Sequence, residues 1–227
     1  MADNSDQTGP GVLAATRVRL TEIFFSLQGE TSRAGLPTVF VRLTGCPLRC
    51  VWCDTAYAFQ GGETAGVGEI LERVAAYAST YVCVTGGEPL AQKGCLDLLT
   101  ALCDAGYSVS LETSGTIDLA GVDPRVSKVM DLKAPGSGEQ AKNRWDNIGL
   151  MGCRDELKLV LADRADYEWA RELLQRRGLA SICPVLFSPV ADRLAPADLA
   201  QWILEDRLPV RMQIQLHKLI WGDTPGH

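Results

Sequence analysis

The sequence has no excess of basic residues. Its 227 residues include 22 Lys and Arg against 28 Asp and Glu, which leaves a formal net charge of −6 at pH 7. A chain without surplus positive charge cannot neutralise a run of phosphates, and this excludes a general nucleic-acid binder. The local basic cluster at Arg171, Arg176 and Arg177 is better explained as the solvated face of a helix.

Long apolar runs and a secretory signal are also missing. No apolar stretch approaches the ~20 residues of a membrane span, and residues 1–16 are polar, without a basic start followed by an apolar run. We expect residues 1–16 to form a disordered tail, residues 17–227 to form one domain, and the protein to be cytoplasmic, without a membrane partner. In that reducing compartment the eight cysteines are not expected to form disulfides, so closely spaced ones indicate metal or redox chemistry.

What the sequence does contain is a regular alternation of strand-like and helix-like segments. Runs rich in β-branched and aromatic residues predict strands at residues 19–25, 38–43, 81–84, 109–111, 126–132, 156–161, 182–187 and 211–216. Apolar residues at helical spacing predict helices at residues 68–77, 95–105, 167–177 and 196–205. The alternation indicates βαβ units and a parallel sheet. About six parallel strands fall short of a closed eight-stranded barrel, which needs ~250 residues, so we expect an α/β fold with an incomplete (β/α) barrel.

Segments rich in reactive or ligand-binding residues follow the predicted strands. They are residues 46–55, 85–89, 112–115, 131–133 and 187–189. In parallel α/β folds the ligand lies at the carboxyl ends of the strands. We therefore expect these five segments to meet in space and form the site.

Three cysteines stand within eight residues, at Cys46, Cys50 and Cys53. Such a loop can give one thiolate to each of three irons, whereas an iron–sulfur cluster usually takes four cysteines. The next cysteine, Cys83, falls in a predicted strand, so the fourth iron would stay open, as a catalytic metal site requires. A structural zinc site that borrows Cys83 or His217 is the alternative. Small buried apolar side chains are the better account of the remaining five cysteines, Cys83, Cys95, Cys103, Cys153 and Cys183.

The cysteine spacing resembles that of a known superfamily. The pattern CxxxCxxC, with Trp52 before the last cysteine, is similar to the motif of the radical S-adenosylmethionine superfamily. The segment Thr85-Gly86-Gly87-Glu88-Pro89 resembles that superfamily's GGEP segment, where glycines allow the backbone to approach a ligand closely. The resemblance implies a [4Fe–4S] cluster, S-adenosylmethionine and a partial barrel of the radical SAM type.

Further motifs resemble one family within it, the 7-carboxy-7-deazaguanine synthases. They are Ser26-Leu27-Gln28-Gly29-Glu30, Cys53-Asp54-Thr55, Glu112-Thr113-Ser114-Gly115 and Gln215-Leu216-His217-Lys218. The resemblance extends from about residue 21 to residue 222 and implies conversion of 6-carboxy-5,6,7,8-tetrahydropterin to 7-carboxy-7-deazaguanine with release of ammonia, in queuosine biosynthesis. It also implies Mg²⁺, an electron donor such as a flavodoxin or ferredoxin, and a homodimer.

The same resemblance implies residue roles. Cys46, Cys50 and Cys53 would bind the cluster, and Thr55 would bind Mg²⁺. S-adenosylmethionine would contact Trp52, Cys53, Asp54, Gly87, Asp131, Leu132, Lys133, Ser188 and Pro189. The pterin would contact Leu27, Gln28, Gly29, Arg42 and Thr85. Glu112 and His217 are the candidate catalytic residues.

Several of these roles have a plain structural alternative. Asp54 and Thr55 could simply begin a turn, and His217 could be an interior histidine with satisfied hydrogen bonds. Glu112 could pair with Lys133 instead of contacting a ligand. The residues after Gly222 depart from the family's usual end, which puts in doubt any contact that a terminal carboxylate makes elsewhere in the family.

Two other functions compete with the synthase. A glycyl-radical-enzyme activase is also short and uses CxxxCxxC, but it acts on a protein, and the Ser26–Glu30 motif would then have no purpose. A non-catalytic iron–sulfur or zinc module is the alternative outside enzymes.

Overall fold

A computed structural model describes residues 16–222, 224 and 226. Apart from Thr16, the expected disordered tail lies outside the described residues. The strands are β1 (Arg17–Leu27), β2 (Pro37–Leu43), β3 (Glu63–Gly66), β4 (Tyr81–Gly86), β5 (Ser108–Thr113), β6 (Ser127–Asp131), β7 (Glu156–Leu161), β8 (Val185–Pro189) and β9 (Arg211–Met212). The α-helices are α1 (Val67–Ala75), α2 (Gly94–Asp104), α3 (Arg164–Arg177), α4 (Pro196–Glu205) and α5 (Leu216–Trp221). Short 3₁₀ helices lie at Ala56–Phe59, Pro89–Ala91, Pro135–Ser137, Gln140–Lys142, Trp145–Leu150 and Leu179–Ser181.

The strands form one open sheet in the order β3-β1-β2-β4-β5-β6-β7-β8-β9. From β2 and β4 through β9 every neighbouring pair is parallel, while β1 pairs antiparallel with both β2 and β3. The sheet ends at β3 and β9 and does not close on itself, which confirms the expected incomplete barrel. In the part of the chain described, no helix is long and apolar enough to cross a membrane.

Alternation along the strands divides the sheet into two chemically different faces. In β7, Leu157, Leu159 and Leu161 belong to the apolar core, while Lys158 and Val160 line a cavity on the opposite face. Successive side chains of a strand point to opposite faces, so one strand supplies both environments. The strand β2 does the same, with Val41 in the core and Arg42 facing the cavity. The helices cover the apolar face, because residues such as Leu98 and Leu102 of α2 join that core.

Local side-chain chemistry explains where α3 begins and ends. Asp163 caps its first turn by accepting a hydrogen bond from the Asp166 amide at 2.9 Å. The predicted start at residue 167 was therefore three residues late. Gly178 ends the helix in the left-handed conformation, with φ of 59°, as glycine does most readily.

The predicted last strand was wrong beyond its first two residues. The strand β9 covers only Arg211–Met212, and Leu216 opens the helix α5. Instead of continuing along β8, the segment turns towards the loop between β1 and β2. The Leu216 amide donates to the Gly29 carbonyl at 2.9 Å, and the Gln213 side chain accepts from the Thr31 amide at 2.8 Å.

A strand that was not predicted and a late strand start are further differences from expectation. The strand β3 was not predicted because Glu63–Gly66 is short and polar, and it exists through its pairing with residues 17–20 of β1. The strand β8 begins at Val185 and not at residue 182, because Leu179–Ser181 forms a 3₁₀ turn whose last amide bond continues to Ile182.

Candidate active site

A cavity of about 600 Å³ lies on the polar face of the sheet. Residues from β1, β2, β4, β5, β6 and β7 line it, together with the cysteine loop and the segment around α5. The structure brings most of the predicted site residues together there, namely Leu27, Gln28, Gly29, Arg42, Cys46, Cys50, Trp52, Cys53, Asp54, Thr55, Thr85, Gly87, Glu112, Asp131, Lys133 and His217. The expected convergence of segments after the strands is therefore observed for four of the five.

The predicted segment 187–189 does not line the cavity, and neither does Leu132 of the segment 131–133. Leu132 is buried in the apolar core, and Ser188 and Pro189 are buried within β8. The next residues along the chain, Val190 and Ala191, line the cavity in their place. The strand β8 is longer than predicted at its carboxyl end, so the loop that follows it begins at Val190.

The three clustered cysteines lie in the loop that follows β2. Each is partly buried and free of disulfide bonds. Burial raises the pKa of all three thiols, while the positive charge of Lys133 lowers it. Since a metal binds the thiolate and not the thiol, Lys133 favours the ligating form of every cysteine in this loop.

The GGEP segment packs directly against that loop. The Glu88 amide donates to the Gly45 carbonyl at 2.8 Å, and the Gly87 amide donates to the Leu43 carbonyl at 3.2 Å. A Cβ atom at Gly87 would lie 2.8 Å from the Cβ of Cys46. Only glycine permits this approach, so the second glycine of the motif sets the position of the first cysteine.

Glu88 is completely buried and joins the ends of two strands. Its carboxylate accepts hydrogen bonds from the Thr113 hydroxyl at 2.9 Å, the Ser114 amide at 2.7 Å and the Leu90 amide at 3.1 Å, and the Ser114 hydroxyl also donates to it. These bonds fix the loop after β4 against the loop after β5. Glu88 therefore has a structural role, because it holds these two loops together.

The Glu112 carboxylate accepts hydrogen bonds from two residues that were predicted to contact the substrate. Gln28 Nε2 donates to Glu112 Oε1 at 3.1 Å, and the Thr85 hydroxyl donates to Glu112 Oε2 at 2.9 Å. The alternative pairing with Lys133 is wrong, because Lys133 pairs with Asp131 at 3.2 Å. The carboxylate thus faces the cavity with its orientation fixed from both sides.

His217 lies against the Ser26–Glu30 motif. A Cβ atom at Gly29 would lie 3.0 Å from the ring atom Cγ of His217. The neighbouring Leu216 amide binds the Gly29 carbonyl. The structure therefore places the imidazole in the wall of the cavity, beside the loop that was predicted to bind substrate.

Arg42 is held by a carboxylate and by two aromatic rings. Its Nε donates to Glu22 Oε1 at 2.8 Å, and its guanidinium carbon lies 5.4 Å from the Phe24 ring centre and 5.8 Å from that of Tyr57. The Tyr57 hydroxyl donates to the same Glu22 oxygen at 2.8 Å. Desolvation and the Glu22 carboxylate raise the pKa of Tyr57 to about 12, although Arg42 opposes this. Because the Glu22 contact uses Nε, the terminal amino groups of Arg42 are left for a second anion.

An ionic network that the sequence did not predict runs along the inner face of β6 and β7. Lys158 forms an ion pair with Glu30 and lies 3.5 Å from Asp131 Oδ2. Gln215 Nε2 donates to the other Glu30 oxygen at 2.9 Å. The signal that could have found Lys158 is its place in an alternating strand between apolar residues.

Comparisons with known proteins agree with this site. The Radical SAM superfamily profile matches residues 40–177. The 7-carboxy-7-deazaguanine synthase of Chlorobaculum tepidum is 48% identical over 208 residues, which cover 90% of this chain and 94% of the relative. The protein of the same name from Koribacter versatilis is 44% identical over 225 residues, which cover 92% of this chain and 100% of the relative. This chain belongs to the 7-carboxy-7-deazaguanine synthase family.

Solved structures show the same fold. QueE from Escherichia coli superposes with a TM-score of 0.76 at 23% identity, covering 93% of this chain and 100% of that chain. SuiB of Streptococcus suis bound to S-adenosylmethionine gives a TM-score of 0.54 at 15% identity, covering 78% of this chain and 47% of that chain. At these identities the likeness concerns the fold alone. Together with the Radical SAM profile, it confirms the radical SAM type of partial barrel.

Family membership decides between the competing functions. The chain is an enzyme of the 7-carboxy-7-deazaguanine synthase kind, neither a glycyl-radical-enzyme activase nor a non-catalytic module. The radical SAM superfamily implies a [4Fe–4S] cluster and S-adenosylmethionine as cofactors.

The residues present fit such a cluster better than a zinc ion. Within residues 16–222, 224 and 226, no three His, Cys, Asp or Glu side chains converge in the manner of a single-ion site. Cys83 is completely buried within β4 and is not available to the cysteine loop. A three-thiolate loop beside an open cavity suits a cluster with one free iron.

Gly87→Ala tests the packing of the GGEP segment on the cysteine loop. The added methyl group would overlap Cys46, so the loop must shift and the iron should be held about tenfold less tightly. Iron and sulfide per chain, measured after anaerobic reconstitution and a chelator challenge, check this. Gly68→Ala is the matched control, because a Cβ atom there meets nothing within 4 Å. Equal iron retention in both variants would show that the contact is unimportant.

Cys50→Ala tests the assignment of the cluster ligands. The variant should fold but retain little cluster iron and cleave no S-adenosylmethionine, since the cluster loses one thiolate. Cys103→Ala is the control, and it should keep its iron and its activity while losing about 1–3 kcal/mol of stability through a small cavity. Iron analysis and chromatography of 5′-deoxyadenosine provide the readouts, and near-normal cleavage by Cys50→Ala would contradict the assignment.

Proposed function

We propose that this enzyme converts 6-carboxy-5,6,7,8-tetrahydropterin to 7-carboxy-7-deazaguanine and ammonia. The observation that carries the proposal is the content of one cavity. It combines the three-cysteine loop with the Arg42 guanidinium and with the Glu112 carboxylate, which is held by Gln28 and Thr85. The first feature suits radical chemistry, and the other two suit a substrate with a carboxylate at one end and a row of N–H donors at the other.

The cofactor side of the cavity would be built from residues near the cysteine loop. Cys46, Cys50 and Cys53 would hold the [4Fe–4S] cluster, which, when bound, supplies the electron that cleaves S-adenosylmethionine to methionine and a hydrogen-abstracting 5′-deoxyadenosyl radical. Trp52, Asp54, Gly87, Asp131 and Lys133 would line S-adenosylmethionine, since all of them line the cavity. Leu132, Ser188 and Pro189 do not line the cavity, and their contact with S-adenosylmethionine stays a prediction from the resemblance.

The substrate carboxylate would bind at Arg42. Its guanidinium is a planar fork that matches a carboxylate, and the Nε contact to Glu22 fixes the plane of the fork. Phe24 and Tyr57 restrict its movement further. An arginine held in this way orients its ligand as well as attracting it, because little side-chain freedom remains to be lost on binding.

Glu112 and the Ser26–Glu30 motif would bind the opposite edge of the pterin. The amino group and ring N–H of that edge are donors, and an ionised carboxylate accepts at two oxygens with about four lone-pair sites. Gln28 and Thr85 occupy one direction at each Glu112 oxygen, which leaves acceptor capacity for the substrate. Backbone groups of Leu27 and Gly29 and the His217 imidazole would complete this end.

We further propose that Mg²⁺ bridges Thr55 and the substrate. The Thr55 hydroxyl donates to Asp54 Oδ1 at 2.8 Å, so its oxygen lone pairs can face a cation. Partial desolvation would raise the pKa of Asp54, but the Thr55 hydroxyl and the charge of Lys158 bring it below its usual value. An oxygen site beside a carboxylate suits Mg²⁺, which keeps several waters and takes the remaining ligands from the substrate.

Enzyme with a reconstituted cluster, incubated with the carboxypterin, S-adenosylmethionine, Mg²⁺ and a chemical reductant, tests the proposed function. The expected product has the mass of the pterin less one ammonia, because the ring contraction is redox-neutral and hydrogen is returned to the substrate. S-adenosylmethionine should be regenerated and consumed only slowly. Cleavage of S-adenosylmethionine that depended on an added protein, with no ring-contracted product, would contradict the proposal.

Three expectations remain predictions. They are the homodimer, the flavodoxin or ferredoxin donor, and the cytoplasmic location. Analytical ultracentrifugation of the purified enzyme would test the first, and assays with reduced flavodoxin or ferredoxin in place of the chemical reductant would test the second.

Thr55→Ala tests the magnesium site. If the metal orients the substrate, its loss displaces the reacting carbon, and a displacement of about 1 Å can cost on the order of 10²-fold in rate. The variant should bind cluster and S-adenosylmethionine normally but form product slowly and with weaker dependence on Mg²⁺. Thr64→Ala, at an exposed position of β3, is the control. An unchanged Mg²⁺ dependence in Thr55→Ala would show that Thr55 does not bind the metal and only begins a turn.

A further inference from the structure

Lys158 occupies a central position in the cavity wall. It lies on the inner face of β7, and its side chain is only 13% exposed. Its ammonium contacts the carboxylates of Glu30 and Asp131, whose side chains are 8% and 18% exposed. Although burial opposes the charged form, these two carboxylates hold the pKa of Lys158 above its usual value. The ammonium therefore lies between two carboxylates, and both favour its charged form.

The two anions belong to different sides of the site. Glu30 ends the Ser26–Glu30 motif, and its amide donates to the Gln28 side chain at 3.2 Å, which in turn binds Glu112. Asp131 lies on the cofactor side, where it also pairs with Lys133. Lys158 is thus a bridge between the loop proposed to bind substrate and the wall proposed to bind S-adenosylmethionine.

Other contacts show that the loop depends on anchors of this kind. Residues 28–32 belong to the loop between the neighbouring strands β1 and β2. They are held by side chains of β7 and of the segment before α5, which are distant in the sequence. The Ser32 amide donates to both oxygens of Glu156 at 3.1 Å, and the Thr31 amide donates to Gln213. Lys158 is the cationic member of this set, and its ammonium also reaches Asp131 on the cofactor wall.

A purely structural ion pair in the same protein offers a comparison. Lys128 pairs with Asp155 at 2.9 Å, and the two side chains are 12% and 5% exposed. That pair does not line the cavity. Buried ion pairs contribute little net stability compared with apolar replacements, so burial alone does not explain why a lysine stands at position 158 facing the ligands.

We propose that Lys158 is a positioning residue that couples the two ligand sites, and this inference rests on the proposed function. By holding Glu30 and Asp131 at a fixed separation, it aligns the substrate loop with S-adenosylmethionine. Without the cation the two carboxylates repel each other and the loop moves. A displacement of about 1 Å between the reacting atoms is enough to lower the rate on the order of 10²-fold.

The experiment compares Lys158→Met, Lys158→Arg and Glu30→Gln with wild type, using Lys128→Met as the matched control. Four quantities are measured on each reconstituted protein: iron per chain, the Kd for S-adenosylmethionine by equilibrium dialysis, product rate, and 5′-deoxyadenosine formed per product. Hydrogen exchange of the amides at residues 28–32 is measured separately on the protein without ligands.

For Lys158→Met we expect unchanged iron, a product rate lower by on the order of 10²-fold, and about tenfold more 5′-deoxyadenosine per product. Amides 28–32 should exchange faster. Lys158→Arg should recover part of the coupling because it keeps the charge, and Glu30→Gln should resemble Lys158→Met because it removes the partner charge while keeping its shape. Lys128→Met should match wild type in coupling even if it is less stable.

A coupling ratio in Lys158→Met equal to that of wild type, or changed equally in Lys128→Met, would overturn the inference. If Lys158→Met does not fold, Glu30→Gln decides in the same way. Wild type that forms no product from the carboxypterin would instead refute the proposed function. In that case the exchange of amides 28–32 still decides whether Lys158 holds the loop, since unchanged protection in the variants would refute it.

Discussion

Charges placed on the inner face of an open sheet have to be paired, and this constraint organises the site. A buried unpaired charge costs several kcal/mol or more. Arg42 pairs with Glu22, Lys133 with Asp131, and Lys158 with Glu30. Glu22 lies on the neighbouring strand β1 and Glu30 lies in the loop after β1, whereas Asp131 stands two residues before Lys133. The pairs of Arg42 and Lys158 therefore fix backbone segments relative to one another, as well as neutralising charge.

The same pairing prepares the site for its ligands. Glu112 has two protein donors before any substrate arrives, and Arg42 has its plane set by Glu22. Glu88 holds the loops after β4 and β5 together without facing the ligands. Such preorganisation matters for radical chemistry, in which the protein's contribution is alignment and the exclusion of competing reactions. An open barrel provides the access that a closed one with a filled interior would not.

The fold followed from the sequence where local chemistry decides structure. Alternating strands and helices predicted the parallel sheet, and the end of α3 was predicted correctly at residue 177, because periodicity and caps act over a few residues. Prediction failed where distant contacts decide. Residues 213–216 have the composition of a strand, yet they bind Gly29 and Thr31 at the other end of the chain. No local pattern contains that information.

The residues of the candidate site also differ in how well the sequence predicted them. Residues within motifs, such as Cys50, Thr85 and Glu112, were predicted because their spacing or resemblance is specific. Lys158 was not, because a single lysine in an alternating apolar strand is normally taken to face water. In a parallel α/β sheet that reasoning is incomplete, since helices cover one face and the barrel interior covers the other. A charged residue in the middle of such a strand has no solvent to face, so the alternation itself indicates a residue of the ligand cavity.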